Sequence, residues 1–346
     1  MKTSAVSIGL VTAAMLVSAC GGSTDKEKPS AIADLGSSLK CDYSPTEAEL
    51  LAYKVPKAPD GTKLTLMQVS SAGYYYQAIS QGAEQAAKDA GVKLTEFSAD
   101  GYASPDQQLQ QVGDALVQGT NGIVMAPSDI KGSVPVVTQA KDDDVPVVNI
   151  SSEVDSKDVY MVMQDDYAFG QLAADRVAEV MGEAGGTGIV IAGPSNATWS
   201  QRRTQGFEDR VKEKYPKLKI AAAPTQLVDP AEGLRSFEDA AQATPNIDWI
   251  FAVHYFILPP DSLPAAYKGK ATYVSAGYEP DSIKALENGT LASTFGLAPR
   301  WMGILGVGRL VELLNGEKPP RITCLPVPLF TKAEINSPFA NAELIP

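Results

Sequence analysis

Histidine occurs once in the 346 residues, at His254, and cysteine three times, at Cys20, Cys41 and Cys324. One histidine cannot build a histidine-rich metal centre, and the chain has neither a Cys-x-x-Cys pair nor a Cys/His cluster to replace it. No Gly-x-Ser-x-Gly turn or histidine-based nucleophile dyad is present, so the chain is read as a non-enzyme needing no metal and no cofactor. Basic residues are also short: 29 Lys and Arg face 41 Asp and Glu, a formal charge of -12. With no basic run, that balance excludes nucleic acid as a partner and excludes charge-driven attachment to an anionic bilayer. Long apolar runs are missing too. The most apolar stretch, Ala5 to Ala19, is too short and too rich in small residues to span a membrane comfortably.

That short run reads instead as an export signal. It follows Lys2 and ends Leu16-Val17-Ser18-Ala19 before Cys20, the pattern of a lipid-acceptor cysteine. Residues 1–19 are therefore expected to be removed and Cys20 to carry a diacylglyceryl thioether, the only expected membrane contact. Gly21 to Ser30 lacks large apolar side chains and cannot repay the entropy of ordering, so 20–56 is read as a tether and extension. Lipidation of Cys20 leaves Cys41 and Cys324. In an oxidising compartment these two are expected to pair, joining the amino-terminal extension to the carboxy-terminal segment.

From Lys63 onward short apolar runs alternate with amphipathic stretches of helical length, the pattern of βαβ units in a parallel sheet. Strands are predicted at 64–69, 93–97, 122–126, 146–150, 160–163, 188–192, 219–222, 249–253, 271–276 and 291–295. Helices are predicted at 75–90, 105–118, 167–181, 200–214, 231–243 and 301–314. Ten strands exceed one sheet and divide near Asp165, giving two doubly wound α/β lobes. Ligands of such sheets bind beyond the carboxyl ends of the strands, so facing lobes make a cleft. Gly182, Gly185, Gly186 and Gly188 precede a strand, the wrong order for a phosphate cradle, and read as a loop. Gly303, Gly306 and Gly308 lie within a helix and are expected to allow close packing.

Val69-Ser70-Ser71-Ala72-Gly73-Tyr74-Tyr75-Tyr76, followed by Gly82-Ala83 and Ala86-Ala87, resembles the first strand, aromatic pair and helix of the type I periplasmic binding proteins. Further fragments in the same order cover nearly all of 63–330: Gly122 to Asp129, Val145 to Val148, Asp165-Asp166 before Gly170, Arg203 to Phe207, Ile250 to Ala252, and Leu314 to Glu317. The resemblance implies two Rossmann-like lobes joined by three crossing strands, near Asp165, Leu297 and Leu325. One lobe would hold 57–164 plus 298–324, the other 165–297 plus 325–346. It also implies a monomeric receptor closing on a small solute and presenting it to an ABC permease.

The resemblance implies a sugar stacked between aromatics, here Tyr75 and Tyr76. The polar clamp of sugar-binding relatives is replaced: Ala126 stands for a polar side chain, Ser151 and Ser152 for an Asp-Arg pair, Gln201 for an arginine. His254 stands for an asparagine, and Gly277 and Leu297 for an aspartate and a glutamine. A second branch, the trimethylamine N-oxide sensors that serve a histidine kinase, is matched by Tyr76 and by Tyr102, with Asp166 where that branch has a tryptophan. That branch makes a sensor kinase the alternative partner. Tyrosine offers a flat face and a phenol, suited to sugar faces and to ammonium groups alike. Asp165 and Asp166 precede a helix and serve either as its cap or, for Asp166, as a cleft anion. Trp199 is read as the opposite wall with Gln201 beside it, His254 as the cleft edge at the end of its strand, and Tyr278 completes the candidates. With no Lys or Arg among them, the cleft is expected to prefer a neutral or cationic solute.

Overall fold

The computed structural model describes residues 37–346 apart from Leu227 and Pro245. Cys20 and the expected export signal lie outside these residues. After a capped helical turn, α1 (Glu47–Ala52), the first lobe runs β1 (Lys63–Gln68), α2 (Tyr74–Ala90), β2 (Lys93–Ser98), α3 (Pro105–Val117), β3 (Gly122–Met125), α4 (Val134–Asp142), β4 (Val147–Ile150) and β5 (Tyr160–Met163). The second runs α5 (Asp166–Met181), β6 (Gly186–Ile191), α6 (Thr198–Lys214), β7 (Leu218–Ala222), α7 (Pro230–Ala243), β8 (Trp249–Ala252), β9 (Thr272–Ala276), α8 (Pro280–Asn288) and β10 (Ser293–Phe295). The chain finishes with α9 (Pro299–Leu314), β11 (Ile322–Cys324), β12 (Leu329–Phe330) and α10 (Pro338–Glu343).

Each lobe holds one six-stranded sheet, ordered β11-β5-β4-β3-β1-β2 and β12-β10-β9-β8-β6-β7. All neighbours are parallel except β12, which runs antiparallel to β10. Helices cover both faces, so β3, β4 and β8 are buried residue for residue and need no polar alternation. The ten apolar runs read from the sequence are ten of these strands. The two that escaped, β11 and β12, are only three and two residues long, too short for an apolar run to stand out.

The lobes share one packing device. A Cβ at Gly82 of α2 would strike the Arg300 carbonyl of α9, and one at Gly303 of α9 would strike the Ile79 carbonyl of α2. In the second lobe Gly170 of α5 meets the Arg203 carbonyl of α6, and Gly206 of α6 meets the Tyr167 carbonyl of α5. Each lobe thus brings two helix backbones together on a reciprocal pair of glycines, the role expected of Gly303.

The chain passes between the sheets three times, after β5, after β10 and after β11. Gln164, buried on the first passage, donates its side-chain amide to the Gly296 carbonyl of the second at 2.9 Å and to the Pro326 carbonyl of the third at 2.7 Å. Beside this junction the amino-terminal extension is tied down. Cys41 and Cys324 are joined by a disulfide with Cα atoms 5.7 Å apart. Tyr43 bridges Thr323, while the Leu39 N–H donates to Asp165 at 3.1 Å. The tail does not stay with one lobe: β12 joins the second sheet, but α10 lies on α1 and α9, with Phe339 stacked on Trp301 at 6.3 Å. Among the described residues no helix is long and apolar enough to cross a membrane.

Candidate functional site

The carboxyl ends of β1, β4, β6 and β8 bring Tyr75, Ser151, Trp199 and His254 to one place between the lobes. Around them lies an inner chamber of about 40 Å³ lined also by Tyr76, Tyr102, Arg203, Val228 and Leu297. An outer chamber of about 340 Å³ shares Tyr75, Tyr76, Tyr102 and Val228 with it and opens toward Tyr74, Pro194 and Phe256.

The first lobe supplies phenols. Tyr75 and Tyr76 open α2, so their rings diverge, edge to face at 5.4 Å and 89°. The Tyr75 hydroxyl lies 2.9 Å from the Ser151 hydroxyl. Ser151 follows β4 at φ +70°, while the Ser152 N–H reaches back to the Ile150 carbonyl at 2.7 Å. This tight turn in the left-handed region is a strained conformation for a residue with a side chain, and it sits against the chamber. Tyr76 donates to the Tyr102 hydroxyl at 3.4 Å. Burial raises the pKa of all three phenols, so they enter the site as neutral donors and acceptors.

The second lobe answers with Trp199, His254 and Arg203. The Trp199 indole N–H donates to the Tyr102 hydroxyl at 3.0 Å, and Asn196 donates to the Tyr102 carbonyl at 3.1 Å, closing the lobes on each other. His254 accepts the Phe256 backbone N–H on Nδ1 at 3.1 Å, which leaves its proton on Nε2. Burial, reinforced by the Arg203 charge, pulls its pKa down to about 3, so the ring is neutral. Arg203 sits with its guanidinium 5.1 Å from the Trp199 ring centre and 4.6 Å from that of Phe169.

Arg203 overturns the charge reading of the cleft. Its Nε donates to Asp166 at 2.7 Å and its Nη1 to the Val253 carbonyl at 3.0 Å. Asp166 is therefore a buried partner of an arginine, and burial lifts its pKa to about 6 against the pull of that charge. The capping alternative falls to its neighbour: Asp165 accepts from Tyr167 and Ala168 at the head of α5. Arg203 was legible, since it stands four residues after Trp199 and so shares its helix face.

Other candidates lie apart. Ser152 hydrogen-bonds Thr198 across the lobes at 2.9 Å behind the chamber, beside a second buried pair, Arg202 to Glu153 at 2.5 Å. Gln201 turns to the Ser195 carbonyl, on an outer groove with Thr204 and Glu208. Tyr278 is buried in the second lobe, its hydroxyl on the Ile335 carbonyl at 2.6 Å and its ring 4.2 Å from Phe330. Neither Gln201 nor Tyr278 lines the two chambers.

Two doubly wound lobes, three passages and an aromatic cleft define a class of protein. The periplasmic binding protein domain family matches residues 65–318, and the chain belongs to that family. Within it the fold is of type I, as in the ribose-binding proteins. The chain is 26% identical over 250 residues to the ribose import binding protein RbsB of Salmonella typhimurium, covering 70% of this chain and 82% of that one. It is 24% identical over 261 residues to RbsB of Bacillus subtilis, covering 75% and 83%. A carbohydrate transporter solute-binding protein from Agrobacterium radiobacter, solved with D-arabinose, superposes with a TM-score of 0.77 at 25% identity, covering 83% of this chain and 99% of that one.

Proposed function

We propose that this protein is the solute receptor of an ABC importer and that it closes on a neutral sugar held between Tyr75, Tyr76, Tyr102 and Trp199. The observation that carries the reading is an inner chamber faced with aromatic rings from both lobes and internally neutralised in charge. Arg203 is matched by Asp166, His254 is neutral, and the phenols are protonated. Such a site gives a solute ring faces to stack on and hydroxyls to bond, without a net charge to select an ion. The relatives are named as import binding proteins, which favours delivery to a permease over service to a sensor kinase.

The reading extends to an extracytoplasmic monomer held to the membrane by lipid on Cys20, with the chain changing lobes at 164/165, 297/298 and 324/325 and α10 returning to the side of α1 and α9. Thermal unfolding with D-ribose, D-arabinose and D-allose tests it. A bound sugar at about 100 times its dissociation constant adds about 2.7 kcal/mol of stability. No shift with any neutral sugar, beside a shift with a sugar phosphate, would reverse it. Mass spectrometry of the membrane fraction should find a diacylglyceryl group on Cys20; an intact signal on soluble protein would remove the anchor.

A further inference from the structure

The outer chamber is far larger than the inner one and differs from it in chemistry. Its walls are Tyr74, Tyr76, Tyr102, Pro194, Val228 and Phe256, and among the described residues no Lys, Arg or His lines it. Phe256 leaves 39% of its surface exposed here, among the few large apolar side chains the described residues present to water. It stands two residues after His254, whose ring faces the inner chamber, so one short turn serves both compartments. Tyr74 is held in place, its hydroxyl accepting the Ile345 backbone N–H at 2.7 Å. Three carboxylates reach the lining, those of Asp100, Asp229 and Glu279, and two are committed to helix starts. Asp229 accepts the Glu232 N–H at 2.9 Å, and Glu279 forms the capping box of α8. What remains is an aromatic-walled space continuous with the inner chamber, with no cationic side chain among the described residues to bind an acid.

We propose that the cleft takes a glycoside rather than a free monosaccharide, with the sugar where the two chambers meet, against Tyr75, Tyr76 and Tyr102, and an apolar, preferably aromatic, aglycone farther out in the outer chamber against Tyr74 and Phe256. This rests on the sugar reading above and names the solute's second half. A free sugar at that junction would leave Tyr74 and Phe256 in water, whereas an aglycone covers them and releases that water. An anionic aglycone is disfavoured by Asp100, Asp229 and Glu279.

The test is calorimetry with ribose, arabinose and allose, each as the free sugar, the methyl β-D-glycoside and the phenyl β-D-glycoside. For the sugar that binds, the phenyl glycoside should bind about tenfold more tightly than the methyl glycoside, the worth of one aromatic contact. Phe256→Ala and Tyr74→Ala should each bring that ratio toward one, and the double variant should abolish it. A phenyl glycoside that binds no better than the methyl form overturns the proposal, as does a gain that persists in the double variant. If the free sugar binds and the phenyl form does not, the sugar reading stands and the glycoside falls. If no sugar binds in any form, the sugar reading fails by itself, and benzyl alcohol decides the outer chamber by saturation-transfer NMR. A signal lost in Phe256→Ala retains the apolar subsite; no signal removes it.

Discussion

The two lobes are the same construction put to different use at the cleft. Each closes a pair of helices on reciprocal glycines, and each aims its strand ends inward. The first lobe then lines the cleft with neutral phenols that hydrogen-bond one another, whereas the second lines it with a buried ion pair, an indole and an uncharged imidazole. A phenol can lose its hydroxyl and keep its ring in place. A buried charge cannot lose its partner without being stranded, so the second wall is the less tolerant of change.

The largest test of that contrast is Arg203→Ala, which leaves Asp166 buried and unmatched. Urea unfolding should show a loss of about 3–5 kcal/mol. The double variant with Asp166→Ala should recover part of it, and a single-variant loss near zero would erase the distinction between the walls. Next is pH. Burial raises Glu343 in the tail to about 8, Glu153 and Glu279 to about 7 and Asp166 to about 6, from ordinary values of 4.5 for the glutamates and 3.8 for the aspartate. An acid whose folded pKa is raised contributes stability that is present below its unfolded pKa and lost as pH climbs through the folded one. His254, depressed to about 3 from 6.5, acts oppositely, and its contribution is lost only as pH falls below 6.5. Between pH 6.5 and 8 the carboxylates act alone, so the melting temperature should fall across that window and Glu343→Gln should flatten the fall. A melting temperature that rises there would contradict the assignment.

The shared part of the comparison is tested by Gly82→Ala and Gly170→Ala. Each forces a methyl into a neighbouring carbonyl and should cost about 1–3 kcal/mol, equally in the two lobes. A large difference would show that the helix pairs are not equivalent. Smallest is Tyr76→Phe, which removes the hydrogen bond to Tyr102 and keeps the ring. Stability should drop by about 0.5–1.5 kcal/mol, with sugar binding largely preserved if stacking carries it.

The sequence made the first wall more legible than the second. Tyr75 and Tyr76 end a strand and open a helix, and a run of rings at that point announces a cleft. His254 and Trp199 were found the same way, from their place at strand and helix ends. The Arg203–Asp166 pair was missed because it joins residues 37 apart whose meeting depends on how α5 lies against α6. Pattern along the chain sets which elements form; which side chains they bring face to face is set by helix packing, here by Gly170 and Gly206. Gln201 and Tyr278 went astray for the same reason, each placed by its neighbour in sequence and turned away by its neighbour in space. Ten strands were readable as apolar runs, while β11 and β12 depend on pairing that no local pattern records.

Gln164 carries a consequence for how a bound solute is reported. With one amide it holds the second and third passages to the first, so the three linkers cannot bend independently without breaking those bonds. Opening would thereby be restricted toward a single mechanical coordinate, and on the proposed reading occupancy of the cleft would set one angle between the two lobes. Under the receptor role proposed above, a permease touching both lobes would read full or empty from one geometric quantity, with no need to sense the solute itself.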